Sequence, residues 1–283
     1  MEYKKGFEIK PIEIQTDGTV LFTNGTDNVH ANQIACEAYG YKYDTATGTC
    51  IAFVPNVNLE ADLSNLTNKK QGEKNTIQEG SHNTSIIGKK NTVFGENENC
   101  FISGEQNVIT SEINNASVIG KMGKVTHEGE FCVGGGGFDS EAGLLQMSVI
   151  QLSRRTTNNS DVVLYIDGDA DEDNTDEILL PANSLVTYEI WLSALVTGGS
   201  SGTAGDYEAY VFLGVIRTAN DGTMAHNAKI DRLLGRTGSL GTQVINTDTP
   251  YTLKLQVAGL TNVNIQYHAV VKLHINKTNV VEI

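Results

Sequence analysis

The side chains best suited to chemistry in this sequence are an acidic run, six histidines and four cysteines. From Asp167 to Glu177 the chain reads DGDADEDNTDE, and Asp169, Asp171 and Asp173 match the first three acidic spacings of a calcium loop. The turn glycine of such a loop is replaced by Asn174, and the bidentate glutamate position is Leu180. A solvated loop between strands is therefore expected, without metal. His30, His82, His127, His226, His268 and His274 have no ligand spacing of the HExxH kind. His268 and His274 fall on the polar face of the last strand pattern, so surface or interface placement is expected. No Gly-x-Ser-x-Gly elbow and no phosphate loop occur. Gly134–Gly137 is followed by Phe138-Asp139 and reads as a linker. Cys36, Cys50, Cys100 and Cys132 contain no CxxC pair. Cys36 and Cys50 could bridge a hairpin, but reduced, buried thiols are expected in a chain made in a cytoplasm. The expectation is a protein without catalytic residues, cofactor or metal.

The elements that carry these residues are β-structured. The 283 residues hold 29 glycines and only 4 prolines, with 39% apolar and 19% charged residues. Long Leu/Ala/Glu/Lys stretches are nearly absent, which points to many turns joining short strands. A net charge of −14 argues against binding nucleic acid, where Lys and Arg must neutralise phosphates. No long apolar run suggests membrane insertion, and the N-terminal stretch has no secretory core.

A 16-residue repeat organises residues 72–133. With Gly72, Gly88, Gly104 and Gly120 in one column, the units read GEKNTIQEGSHNTSII, GKKNTVFGENENCFIS, GEQNVITSEINNASVI and a degraded GKMGKVTHEGEFCV. Asn75, Asn91 and Asn107 then align, as do Asn83, Asn99 and Asn115. Apolar columns hold Ile77, Val93, Ile109 and Val125, then Ile86, Ile102 and Val118. Such a repeat stacks as a solenoid, with coils about 4.8 Å apart and equivalent side chains in ladders. The Ile and Val columns should fill the interior. Both Asn columns should sit at turns, where Asn tolerates left-handed geometry. Three coils bury little alone and leave open edges, so sister chains should cover them.

The segments NTSIIGKKN, NCFISGEQN and NASVIGKMG resemble the coil motif of trimeric bacterial adhesin heads and of many phage fibre proteins. That resemblance, over residues 72–123, implies three chains, each a small parallel β-roll, around a three-fold axis. ILLPANS at 178–184, followed by GDYEAYVFLGVIRTAN, resembles a C-terminal domain that recurs in tailed-phage fibre and structural proteins.

Four segments follow. Residues 1–55 read as a small β module, with hairpin turns at Thr16–Gly18 and Asp44–Gly48. Residues 56–71 read as a neck or linker, whose Leu59, Leu63 and Leu66 fall at coiled-coil spacing. Residues 72–133 are the roll. Residues 134–283 read as an antiparallel sandwich of jelly-roll type, with alternating strands through Val186–Val196, Tyr251–Val257 and Val263–Ile275. Residues 207–216 are apolar on both faces, so that strand is central or at a subunit contact. The fold expected is all-β and homotrimeric. The function expected is a virion fibre of a tailed phage, held to a capsid or tail protein through residues 1–55. Tyr207 and Tyr210, taken as exposed loop residues of the knob, are the candidates to touch a host-surface glycan. The alternatives are a bacterial trimeric adhesin head and a polysaccharide-degrading tailspike. Three coils offer too short a groove for the two carboxylates that glycan hydrolysis requires.

Overall fold

The computed structural model describes residues 9–15, 17–52, 67–138, 140–168 and 176–279, and is nearly all β. The leucines of the neck and the centre of the acidic run, 169–175, lie outside the described residues. The chain forms two compact units, 1–63 and 64–283.

In the first unit β1 (Lys10–Ile14), β2 (Val20–Thr23) and β3 (Asn28–Val29) form a meander, and β4 (Lys42–Asp44) pairs with β5 (Thr49–Ile51). Both predicted turns form. Asp17 and Asp44 each accept the backbone N–H two residues on, and Gly18 and Gly48 take positive φ. Between the two hairpins lies a helix that the β reading missed, α1 (Gln33–Ala38). Asn32 caps it, accepting the Ala35 N–H at 2.9 Å. Its inner face places Cys36 against Phe22, Ala31 and Cys50. Cys36 and Cys50 are disulfide-bonded, with Cα atoms 5.6 Å apart, which corrects the expectation of reduced thiols. The inference from compartment failed because so small a core needs a crosslink. Cys50→Ser should lower the stability of this unit by about 2–4 kcal/mol, measured by denaturant unfolding of the full chain with and without reductant.

The second unit opens with the solenoid. One wall stacks β6 (Lys69–Glu73), β8 (Ser85–Lys89), β10 (Phe101–Glu105), β12 (Ser117–Lys121) and β14 (Phe131–Gly135) in parallel. The facing wall stacks the two-residue strands β7 (Thr76–Ile77), β9 (Thr92–Val93), β11 (Val108–Ile109) and β13 (Lys124–Val125). Register follows the repeat: Gly72, Gly88, Gly104, Gly120 and Gly134 pair in sequence. The first strand therefore begins at Lys69, inside the segment read as neck. Gly134 and Gly135 close the last strand, which corrects their reading as a linker.

The wall then continues without a break. β14 pairs antiparallel with β15 (Leu145–Thr156), and the order runs on through β23 (Asn264–Lys277), β18 (Ser184–Gly198), β19 (Tyr207–Thr218) and β20 (Met224–Arg236). The result is one ten-stranded sheet. A small sheet of β16 (Asp161–Val163), β22 (Thr252–Ala258), β17 (Ile178–Leu179) and β21 (Gln243–Asn246) covers one face of its antiparallel half. Between them lies the main core, to which Val186, Ile190, Leu192, Tyr267, Val271 and Leu273 contribute from the large sheet. Alternation put those residues on one face, as their period of two requires.

Candidate functional site

Three features of the second unit could carry function: the solenoid's ladders, a buried polar knot, and the uncovered face of the long sheet. The two asparagine columns do different work. Asn91 and Asn107 are fully buried beside the coil corner and do not themselves take the left-handed geometry expected of this column. Asn91 donates through Nδ2 to Asn75 Oδ1 at 3.1 Å and to the Gly104 carbonyl at 2.8 Å. Asn107 repeats the pattern on Asn91 and the Gly120 carbonyl. Their backbone N–H groups also bond the preceding Asn, so each amide joins neighbouring coils. The left-handed corner belongs to the preceding residues, Lys74, Lys90 and Gln106. Asn83, Asn99 and Asn115 do sit at left-handed corners, and Asn99 donates to Asn115 at 3.2 Å. Ile86, Val93, Ile102, Ile109 and Val118 fill the interior, with Ile77 packed at its end.

The polar knot lies where the fourth unit is two residues short. Glu130 falls in the inward column of Thr84, Cys100 and Ala116, and is 1% exposed. Its Oε2 accepts the N–H groups of Thr126 at 3.0 Å and His127 at 3.1 Å, and the His127 ring at Nδ1 at 3.1 Å. Its Oε1 accepts the Ser148 hydroxyl. Burial alone would raise this carboxyl. Hydrogen bonds from His127, Ser148 and Thr126 outweigh burial and hold it below the ordinary carboxylate range. Burial, and then the negative Glu130 beside it, push the Cys132 thiol up to about 12. His127 Nε2 accepts the Leu179 N–H at 2.9 Å. The carboxylate thus stands between Ser148 and the ring, and both ring nitrogens are engaged. The order differs from that of a hydrolytic triad, in which the ring and not the carboxylate meets the hydroxyl.

The sequence reading missed this knot. His268 and His274 are exposed, as their place on the polar face of the last strand required, whereas His127 alone of the six histidines is buried. The available signal was the shortened unit and a Glu in an otherwise small or apolar column.

On the uncovered face, residues of nine strands line up in one row: Ser85, Phe101, Ser117, Phe131, Val149, Lys272, Glu189, Leu213 and Ile230. Trp191 is 50% exposed in the neighbouring row, beside Val270 and Val211. Leu195 and Tyr207 pair further along. Tyr207 and Tyr210 are both in β19 rather than in loops, and three residues apart they point to opposite faces. Tyr207 is exposed on the outer face, whereas Tyr210 stacks on Phe212 and donates to Glu208. The structure does not bring them together. At one end of the sheet, Asn183, Leu185, Arg217, Asn220, Asp221 and Asn276 line a polar groove of about 610 Å³.

No family profile matches the chain, and no curated protein matches its sequence. Among the solved structures that align with it are two phage tailspike proteins. The tailspike protein of Acinetobacter phage vB_ApiP_P1 is 11% identical over 75% of this chain and 47% of its own, with a TM-score of 0.23. The tailspike protein of Acinetobacter baumannii phage AM24 is 8% identical over 75% and 49%, with a TM-score of 0.24. This chain spans about half the length of each. Similarities this slight carry no argument.

Proposed function

We propose that this chain is a structural subunit of a tailed-phage virion appendage, a homotrimeric fibre that contributes to host adhesion. One observation carries the reading. A single sheet runs from the solenoid through the sandwich and leaves one face uncovered along both. In one row of that face the exposed Phe101, Phe131, Leu213 and Ile230 are interspersed with Ser85, Ser117, Lys272 and Glu189, and Trp191 lies beside it. Large apolar side chains recurring along an exposed face, rimmed by polar ones, mark an interaction site. A partner of matching length and ladder spacing is needed to cover it, and copies of the same chain meet both conditions. The motif segments that resemble trimeric adhesin heads and phage fibres support three copies.

Residues 1–55 then attach the fibre to a capsid or tail protein, and the sandwich is the distal knob. The polar groove beside Arg217 offers the hydrogen-bonding side chains that a host-surface glycan would use. Three knobs would add their weak contacts through avidity.

Native mass measurement of the full chain should give three copies. Trp191→Glu should shift the population to monomers with unchanged circular dichroism, since a charge buried without a partner costs several kcal/mol. A wild-type monomer at micromolar concentration would sink the trimer. Failure of the purified knob to bind in any glycan array would leave a purely structural role.

A further inference from the structure

Solenoid and sandwich are joined by the β14–β15 pairing, and one histidine adds a bond across the same joint. We infer that His127 is a proton-operated latch: neutral, it ties the last solenoid corner to β17 of the sandwich, and protonated, it lets go of the Leu179 amide while β17 stays paired with β22. The geometry fixes the resting state. Nε2 accepts the Leu179 N–H, which it can do only without a proton of its own. The ring proton therefore sits on Nδ1, directed at Glu130 Oε2 and close to Thr126 Oγ1. Leu179 belongs to β17, which is only two residues long and pairs with β22 through Ile178 and Leu179. The His127 bond spans 52 residues of sequence and joins this short strand to the solenoid.

Adding a proton at Nε2 would set two N–H groups against each other, so the Leu179 bond must break. The buried site tolerates the new charge because Glu130 already lies against the ring. Proton uptake thus exchanges a hydrogen bond across the joint for an ion pair within the solenoid. The other charged groups around the ring leave this exchange intact. Lys124 of β13 lines the adjoining cavity of about 320 Å³, and Lys277 of β23 lines it while paired with Glu141 at 3.1 Å. On the β17 side Glu177 is paired with Lys254 at 2.6 Å, next to the buried Asp176. The folded Glu130 carboxyl lies below its ordinary value of 4.5. Its own contribution to stability is therefore present above that value and lost only as the pH falls through the depressed one.

The test is amide hydrogen exchange of the full chain in its native assembly, from about pH 8 to about pH 5, the range in which histidine changes charge. The protection factor of the Leu179 amide should fall by at least about tenfold, while those of Val118 and Ile190 stay constant. His127→Gln can still accept the Leu179 N–H but cannot titrate, so its Leu179 protection should not change with pH. Constant Leu179 protection in the wild type, or an equal fall in the Gln variant, would overturn the latch. Should the variant not fold, the imidazole nitrogen spectrum of the wild type decides. An unprotonated Nε2 at neutral pH, gaining its proton in step with the exchange, supports the latch, and a protonated Nε2 at neutral pH refutes it.

Discussion

Gly104→Ala is expected to unfold the solenoid or cost at least about 4 kcal/mol, a loss confined to a short list of mechanisms. Gly104 has φ +137°, and a Cβ built there would lie within contact distance of the Gly120 carbonyl oxygen, with Asn107 Nδ2 at 3.0 Å. The first obstacle is backbone, and that backbone is fixed by its own pairing in the next coil. Gly88 is in the same position against Gly104, and Gly72 against Gly88. Moving the next coil away would break its pairing with β10 and press it against β14, to which it is paired on its other side. A control separates steric from conformational cost. Gly129 also has positive φ, at +63°, but nothing lies within 4 Å of its would-be Cβ. Gly129→Ala should therefore cost about 1–2 kcal/mol, the ordinary penalty of a left-handed alanine. Denaturant melts of the two variants should differ accordingly, and equal losses would show that column packing is not the cause.

This column also shows what was legible in the sequence. Period and register were readable because stacking forces each position to meet its own equivalent, so a requirement at one height recurs every 16 residues. Alternation likewise revealed the buried face of β18, from Val186 to Val196, because a sheet with one covered face imposes a period of two. What remained hidden depends on single positions. The helix at Gln33–Ala38 has six residues, too few for an apolar period to appear, and its disulfide with β5 follows from a packing distance. Gly134 looked like a linker since its neighbours are also glycine, yet its column membership makes it a strand residue. The pair of His127 and Glu130 carries no motif because it forms at an irregularity in the repeat. Tyr207 and Tyr210 look alike in composition, and only their parity along β19 sends one outward and the other to Glu208.

The two asparagine columns make the same point through energy. Asn107→Leu is expected to cost about 3–5 kcal/mol, as for a buried network broken at one member. The side chain is similar in size, so no large cavity forms and the loss is almost wholly polar. Asn107 Oδ1 accepts the Gly123 N–H at 2.8 Å, while Nδ2 donates to Asn91 Oδ1 and to the Gly120 carbonyl at 2.9 Å. Leucine leaves the Gly123 donor without that acceptor inside a dry core, and each such orphan costs about 1–3 kcal/mol. Asn99 occupies the other column, exposed, with φ +57° and one bond of 3.2 Å to Asn115. Asn99→Gly keeps the left-handed corner available and removes one solvent-exposed bond, so it should change stability by less than about 1 kcal/mol. Chemical denaturation of both variants measures the contrast. If Asn107→Leu proved as mild as Asn99→Gly, the buried ladder would not be holding the coils together, and apolar packing of Ile102, Ile109 and Val118 would have to do so alone. If the contrast holds, the inner column determines whether the coils stack, while the outer column serves only to turn the chain.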